Sequence, residues 1–195
     1  FLQTGSDHLF FYDIVTEELT DLGLFDNEDF LSPAKFDEDR YIYFTENDGI
    51  ANLFITDKTA TGTYSLGTVG TYASFMTMSA SSYGAVVFNT ISFSSYVPMI
   101  YVAATNQIQT VKDFLAPYKE VTSVKKAVMH DQYMFLELIE DGFNEKYTFD
   151  LQSHTFYTGN SFFGDIESFY SNGGELIIVS DREIVTMDTT TFEMD

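Results

Sequence analysis

The sequence predicts an all-β protein, a partial β-propeller of about four and a half four-stranded antiparallel blades. Three observations carry that reading. Aromatic residues make up 17% of the chain, with 20 Phe and 13 Tyr, and rings and β-branched side chains suit pleated, half-buried strands better than helices. A strand that ends in Asp recurs along the chain: Leu9–Asp13, Leu53–Asp57, Lys146–Asp150 and Glu183–Asp188. Clusters of turn residues separate two further strands ahead of most of these anchors, giving about 40 to 47 residues per unit, the period of a propeller blade.

The spacing of the anchors fixes the count. Asp13 to Asp57 is 44 residues, Asp57 to Asp150 is 93, and Asp150 to Asp188 is 38. Half of 93 points to a unit hidden between the second and third anchors. Met99–Ala103 is a strand at that place, with Ala103 where the others have Asp. The expected division is a half blade over 1–23, followed by blades over about 24–67, 68–113, 114–159 and 160–195. The anchor aspartates Asp13, Asp57, Asp150 and Asp188 are expected to cap the backbone amides two or three residues on, as such turns require.

Each blade can then be justified in order. The first holds only a third and a fourth strand, ending at Gly23. In the second, Leu31–Phe36 and Tyr41–Thr45 precede the anchor. Asp48-Gly49 supplies the positive φ of a tight hairpin, and Thr63–Leu66 stops at Gly67. The third reads Ala73–Ser79 and Ala85–Thr90, the fourth Ser123–Met129 and Tyr133–Ile139, and the fifth Ile166–Tyr170 and Glu175–Ser180. A half blade at the start and a complete fourth strand at the end lead to the expectation of a fragment. Its remaining blades would come from the same longer chain or from a partner. Phe1 is not an initiator Met, and no basic-then-apolar leader follows it, so a mature product or a fragment is expected.

The run Tyr43-Phe44-Thr45-Glu46-Asn47-Asp48-Gly49 with Asn52-Leu53-Phe54-Ile55-Thr56-Asp57 resembles the TolB-type propeller repeat of bacteria. Its continuation, Thr56-Asp57-Lys58-Thr59-Ala60-Thr61-Gly62-Thr63, is similar to the Leu-Trp-x-Thr-Asp-Gly-Thr-x-x-Gly-Thr repeat of large secreted bacterial proteins. Lys58 stands for Gly and Phe54 for Trp. The match covers one blade well, is partial around Asp13, Asp150 and Asp188, and is absent from the third blade. The resemblance implies a fold and hardly a function, because propellers host many activities.

Composition excludes several classes. There is no cysteine, hence no disulfide, thiolate metal site or cysteine nucleophile. The net charge of −21, with 9 Lys and Arg, disfavours nucleic acid and anionic membrane surfaces. No apolar run is long enough for a membrane-spanning helix.

His8, His130 and His154 lie in or beside turns without a second histidine at ligand spacing, so each is expected to be a solvated turn residue. Asp-Gly at 48–49 and 141–142 comes nearest to a calcium loop, but neither matches the twelve-residue pattern. No cofactor is expected, with calcium at Asp48 or Asp141 as the alternative. An enzyme acting on carbohydrate would need carboxylates at the central funnel, where only Asp165 and Glu167 fit.

One stretch breaks the composition. No charged residue occurs between Lys58 and Lys112, a span of 53 positions in a chain that is 20% charged, where random placement would give about ten. The span is rich in Tyr, Ser, Phe and Met. A Tyr/Ser surface offers contact area at low entropic cost. Tyr72, Tyr83, Phe93, Tyr96 and Tyr101 are therefore the candidate partner-binding residues. The alternative is a neutral exposed surface with no partner. The expected function is a non-enzymatic interaction scaffold of a secreted or cell-surface protein, binding protein or glycan. A carbohydrate-acting propeller enzyme and an intracellular assembly hub are the alternatives.

Overall fold

The computed structural model of the chain describes residues 2–3, 8–24, 29–71, 76–89, 97–158, 166–172, 175–180 and 184–188. Strands β1 (Leu2–Gln3), β2 (His8–Asp13) and β3 (Glu18–Leu24) form the first sheet. The second holds β4 (Asp29–Lys35), β5 (Tyr41–Asn47), β6 (Ile50–Thr56) and β7 (Tyr64–Thr71). The third holds β8 (Met76–Ser81), β9 (Gly84–Asn89), β10 (Met99–Val102) and β11 (Gln107–Thr110). A short helix, α1 (Val111–Leu115), leads to β12 (Ser123–His130), β13 (Tyr133–Glu140), β14 (Phe143–Asp150) and β15 (Thr155–Thr158). The last sheet pairs β16 (Ile166–Asn172), β17 (Glu175–Ser180) and β18 (Ile184–Asp188). Within each sheet, strands pair antiparallel in sequence order.

The first strands of successive sheets lie against one another: β4 packs on β8, β8 on β12, and β12 on β16. Sheets that meet along their first strands in this way are propeller blades around a common axis, and the molecule is a partial β-propeller. Blade faces stack, so both faces of an internal blade are dry. Ala85, Val87 and Tyr101 join a core with Ile42, Phe44, Leu53 and Ile55 of the second blade. Their immediate neighbours Val86 and Ile100 join the opposite core, with Ala127, Met134, Leu136 and Phe149 of the fourth. The period of two sends adjacent residues to different blades, which is why Ala85-Val86-Val87 is an unbroken apolar run. Leu9, Leu22 and Tyr43, flanked by Phe11 and Phe54, make a smaller core between the first two blades.

Both Asp-Gly hairpins have the dihedrals of a tight two-residue turn. Asp48 and Gly49 have φ of 49° and 78°, and Asp141 and Gly142 have 49° and 84°. Three expectations need correction. The first blade is not limited to two strands, because Leu2 and Gln3 pair with Phe10 and Leu9. Gly67 does not stop β7, which runs on to Thr71 through register shifts opposite Ala51/Asn52 and Leu53/Phe54. Gly67 serves a bulge, at φ 129°, where the local kink favours a residue without Cβ. Helix α1 went unseen in the sequence although its start is written there. The Thr110 hydroxyl accepts from the Asp113 amide at 3.0 Å and donates to the Asp113 carboxylate at 2.6 Å, a capping pair at i, i+3. The strand expected after Asp188 lies outside the described residues.

Candidate binding cleft

The turns that follow the first strands of three blades meet at one end of the axis. Between them is an open cleft of about 840 Å³, lined by residues 34–38, 78–82 and 128–131. Two hydrogen bonds fix its floor by tying the third blade to the fourth. The Met129 amide donates to the Ser79 hydroxyl at 2.8 Å, and the Ser81 hydroxyl donates to the Asp131 carbonyl at 2.6 Å. Ser79 and Ser81 are alternate residues of β8, so both hydroxyls point to the same neighbour. Their spacing on a first strand was the available signal for this joint.

On the second blade, burial opposes ionisation of Asp37. The Arg40 side chain and the amides of Arg40 and Asp39 more than offset it, holding the carboxyl below its usual range. The Arg40 guanidinium bonds Asp37 through Nε and Nη2 and lies over the Phe36 ring, 4.9 Å from its centroid.

His130 is the residue the sequence misplaced. It is 7% exposed, not a solvated turn histidine. It ends β12 and lines the cleft, and its buried Nε2 has no hydrogen-bond partner. The nearest carboxylate oxygen, Asp131 Oδ2, is 3.5 Å away, beyond a good hydrogen bond. His8 pairs with Asp21 at 2.8 Å, and His154 stacks on Tyr118 with centroids 4.6 Å apart.

Of the candidate partner-binding residues, Tyr83 occupies the β8–β9 turn next to Ser82 at the cleft and is 37% exposed. Tyr101 is a correction. It is 6% exposed, with its ring near Phe36 and its hydroxyl bonded to Asn106 at 3.2 Å, so it is core and presents no contact surface. Tyr72, Phe93 and Tyr96 lie outside the described residues, as does Asp165. Glu167 sits at a register shift in β16, between Ile166 and Ser168. Among the described residues, no three acidic or histidine side chains converge as metal ligands, and Asp48 and Asp141 occupy separate turns.

The anchor aspartates have visible partners. Asp13 Oδ1 accepts from the amides of Val15 and Thr16, and Asp150 Oδ1 from those of Gln152 and Ser153. Asp57 Oδ1 accepts from the amide and hydroxyl of Thr59. Thr59 Oγ1 in turn receives the Gly62 amide, and its carbonyl receives the Thr63 hydroxyl. A Cβ on Gly62 would fall on the Asp57 carboxylate, which accounts for that glycine in the motif. Lys58, in place of the repeat's Gly, takes φ 72° and lays its ammonium over the rings of Phe11 and Tyr41 at 5.5 and 5.6 Å. Asp188 ends β18, and the residues after it lie outside the described set.

These caps make a pH prediction. The pKa of Asp13 is lowered by the Val15 and Thr16 amides, and that of Asp57 by the Thr59 hydroxyl and amide. Burial raises that of Asp150, but the Ser153 and Gln152 amides outweigh it. A carboxylate depressed on folding stabilises the fold above its unfolded pKa and loses that contribution as pH falls through the folded value. Melting temperature is therefore expected to fall as pH drops below the ordinary Asp value of 3.8. The fall should be shallower in the triple Asp13→Asn, Asp57→Asn, Asp150→Asn variant. Parallel curves would remove the caps from the account.

By sequence, the chain matches no protein-family profile and no curated protein. By structure it is similar to TolB from Acinetobacter baumannii, with TM-score 0.56 and 12% identity over 96% of this chain and 48% of that one. The likeness is one of fold, and the chain spans about half the length of that protein. Saccharomyces cerevisiae Sqt1 aligns with TM-score 0.45 and 10% identity, over 97% of this chain and 56% of that one. A puromycin hydrolase aligns with TM-score 0.48 and 11% identity, over 84% and 27%. No helix among the described residues is long and apolar enough to cross a membrane.

Proposed function

We propose that the chain is a non-enzymatic scaffold of a secreted or cell-surface protein that holds a protein partner at the cleft and along its Tyr83 lip. The supporting observation is a preformed concavity of about 840 Å³ assembled from three blades and braced by the Ser79 and Ser81 joints. A site already held in shape loses less freedom when a partner arrives. Tyr83, which follows Ser82 of the lining on the same turn and is 37% exposed, adds a large amphipathic ring, the kind of side chain that carries interface energy. A protein partner fits this lining better than a glycan. Among the described lining residues the rings, Phe36 and His130, are 3% and 7% exposed and offer no flat face for a sugar. The neutral span 59–111 supplies the third-blade wall of this surface, and further blades complete the axis around it.

The test is recovery of bound protein by immobilised wild-type chain, followed by the same recovery with Tyr83→Glu. The control is Tyr12→Glu, which places the charge on an exposed first-blade ring instead. Loss of at least about tenfold with Tyr83→Glu alone is expected, in line with a hot-spot aromatic. Equal recovery by both variants overturns the proposal.

A further inference from the structure

The polar groups of the cleft are not all committed to the fold. Asp37 is neutralised by Arg40, and the hydroxyls of Ser79 and Ser81 are spent on the joint to the fourth blade. Glu38, Asp131 and the imidazole of His130 remain among the described lining residues, with Lys35 as the cation. The side chain of Asp131 is 75% exposed, so its charge reaches any group that enters. His130 is the telling member. Its Nε2 is buried without a hydrogen-bond partner, which is true of no other described side chain of the lining. A buried polar atom left unpaired costs about 1–3 kcal/mol, and such an atom in a native protein calls for a partner. An imidazole nitrogen with no proton accepts a hydrogen bond from an N–H donor.

From this we infer that the cleft is a receptor for a cationic side chain, a guanidinium or ammonium presented by the protein partner. Glu38 and Asp131 supply the countercharge, and His130 Nε2, 3.5 Å from the Asp131 carboxylate, is the buried polar atom beside it that the fold leaves without a hydrogen bond. This deepens the scaffold reading above and rests on it. Charge complementarity points the same way, because a molecule of net charge −21 draws basic groups to its surface and repels acidic ones. A guanidinium suits the site better than an ammonium, since its planar fork can meet a carboxylate and a second acceptor at once.

The experiment uses a single cation, because a polybasic peptide would bind any strongly acidic surface. The amide NMR spectrum of the isotope-labelled chain is followed during titration with N-acetyl-arginine methylamide. N-acetyl-citrulline methylamide, the neutral isostere, serves as control. The expected result is saturable shifts confined to residues 34–38, 78–82 and 128–131, with the arginine compound alone. Glu38→Lys and Asp131→Lys change exposed side chains, and each is expected to weaken binding about tenfold, as loss of a charge-assisted contact does. His130→Leu is expected to do the same, while His130→Gln keeps an acceptor and retains part of the affinity.

Shifts scattered over the acidic surface, an equal response to citrulline, or no shifts at all would overturn the inference. Indifference to both lysine variants would do so as well, even if His130→Leu failed to fold. The two readings separate cleanly: if arginine leaves the cleft unperturbed while Tyr83→Glu still releases the partner, the scaffold stands and the cation receptor falls.

Discussion

Gly84→Ala is expected to destabilise the chain by about 2–4 kcal/mol, among the largest effects of any single methyl group added here. Gly84 opens β9 and pairs across to Val102 on β10 and Ser81 on β8. A Cβ at this position would lie 2.0 Å from the Tyr101 carbonyl oxygen. A flexible side chain could swing aside from such a contact, but a main-chain carbonyl held in a paired strand cannot. Relief requires β9 and β10 to part, and Tyr83 and Ala103, whose carbonyl and amide bond at 3.0 Å, would part with them. The measurement is a denaturant titration of wild type and variant. A midpoint shift worth less than about 0.5 kcal/mol, the scale of a neutral surface change, would show that the close approach is not rigid.

Phe149→Ala is expected to cost about 3–5 kcal/mol, the range for a fully buried ring. Phe149 on β14 is 0% exposed. Its ring meets Phe156 on β15 at 4.7 Å, Tyr118 at 5.4 Å and the edge of Phe114 at 5.9 Å. Phe114 belongs to α1 and Tyr118 to the segment after it, so this one ring seats the connection between the third and fourth blades. Truncation leaves a cavity that strands cannot collapse around, whereas Phe149→Leu keeps most of the volume and should cost roughly 1 kcal/mol. Thermal unfolding of the two variants separates the terms. Equal losses would mean that the ring contacts add nothing beyond the first few carbons.

The fold was legible in the sequence because its two rhythms are written locally. Asp48-Gly49 and Asp141-Gly142 announce hairpins by the φ values they tolerate, and the anchor aspartates mark the turns they cap. The environments of other residues depend on neighbours far along the chain. His130 looks solvated beside Asp131 and Gln132, and only the stacking of blades buries it. Tyr101 reads as surface in a Ser- and Thr-rich span, yet the parity of its strand turns it toward Phe36. Leu2 and Gln3 form a strand only because Leu9 and Phe10 lie opposite. The uncharged span 59–111 follows the same logic in part. Its blade lies between two others, and the hydroxyls at Thr59, Thr63, Ser79 and Ser81 are used internally.

The joint between the third and fourth blades has a consequence for how such a chain can change over time. Ser79 and Ser81 bond to a main-chain amide and a main-chain carbonyl, at Met129 and Asp131. Every amino acid offers that carbonyl, and every one but proline offers that amide. A change of side chain at either position therefore leaves these two bonds in place, because their polar partners on the third blade are two serines of one strand, while the shared apolar core still restrains Met129. Polar bonds specified from one side only let the turn of the facing blade diverge in sequence while the two blades still stack. The same latitude leaves the exposed side chain of Asp131 outside the joint altogether.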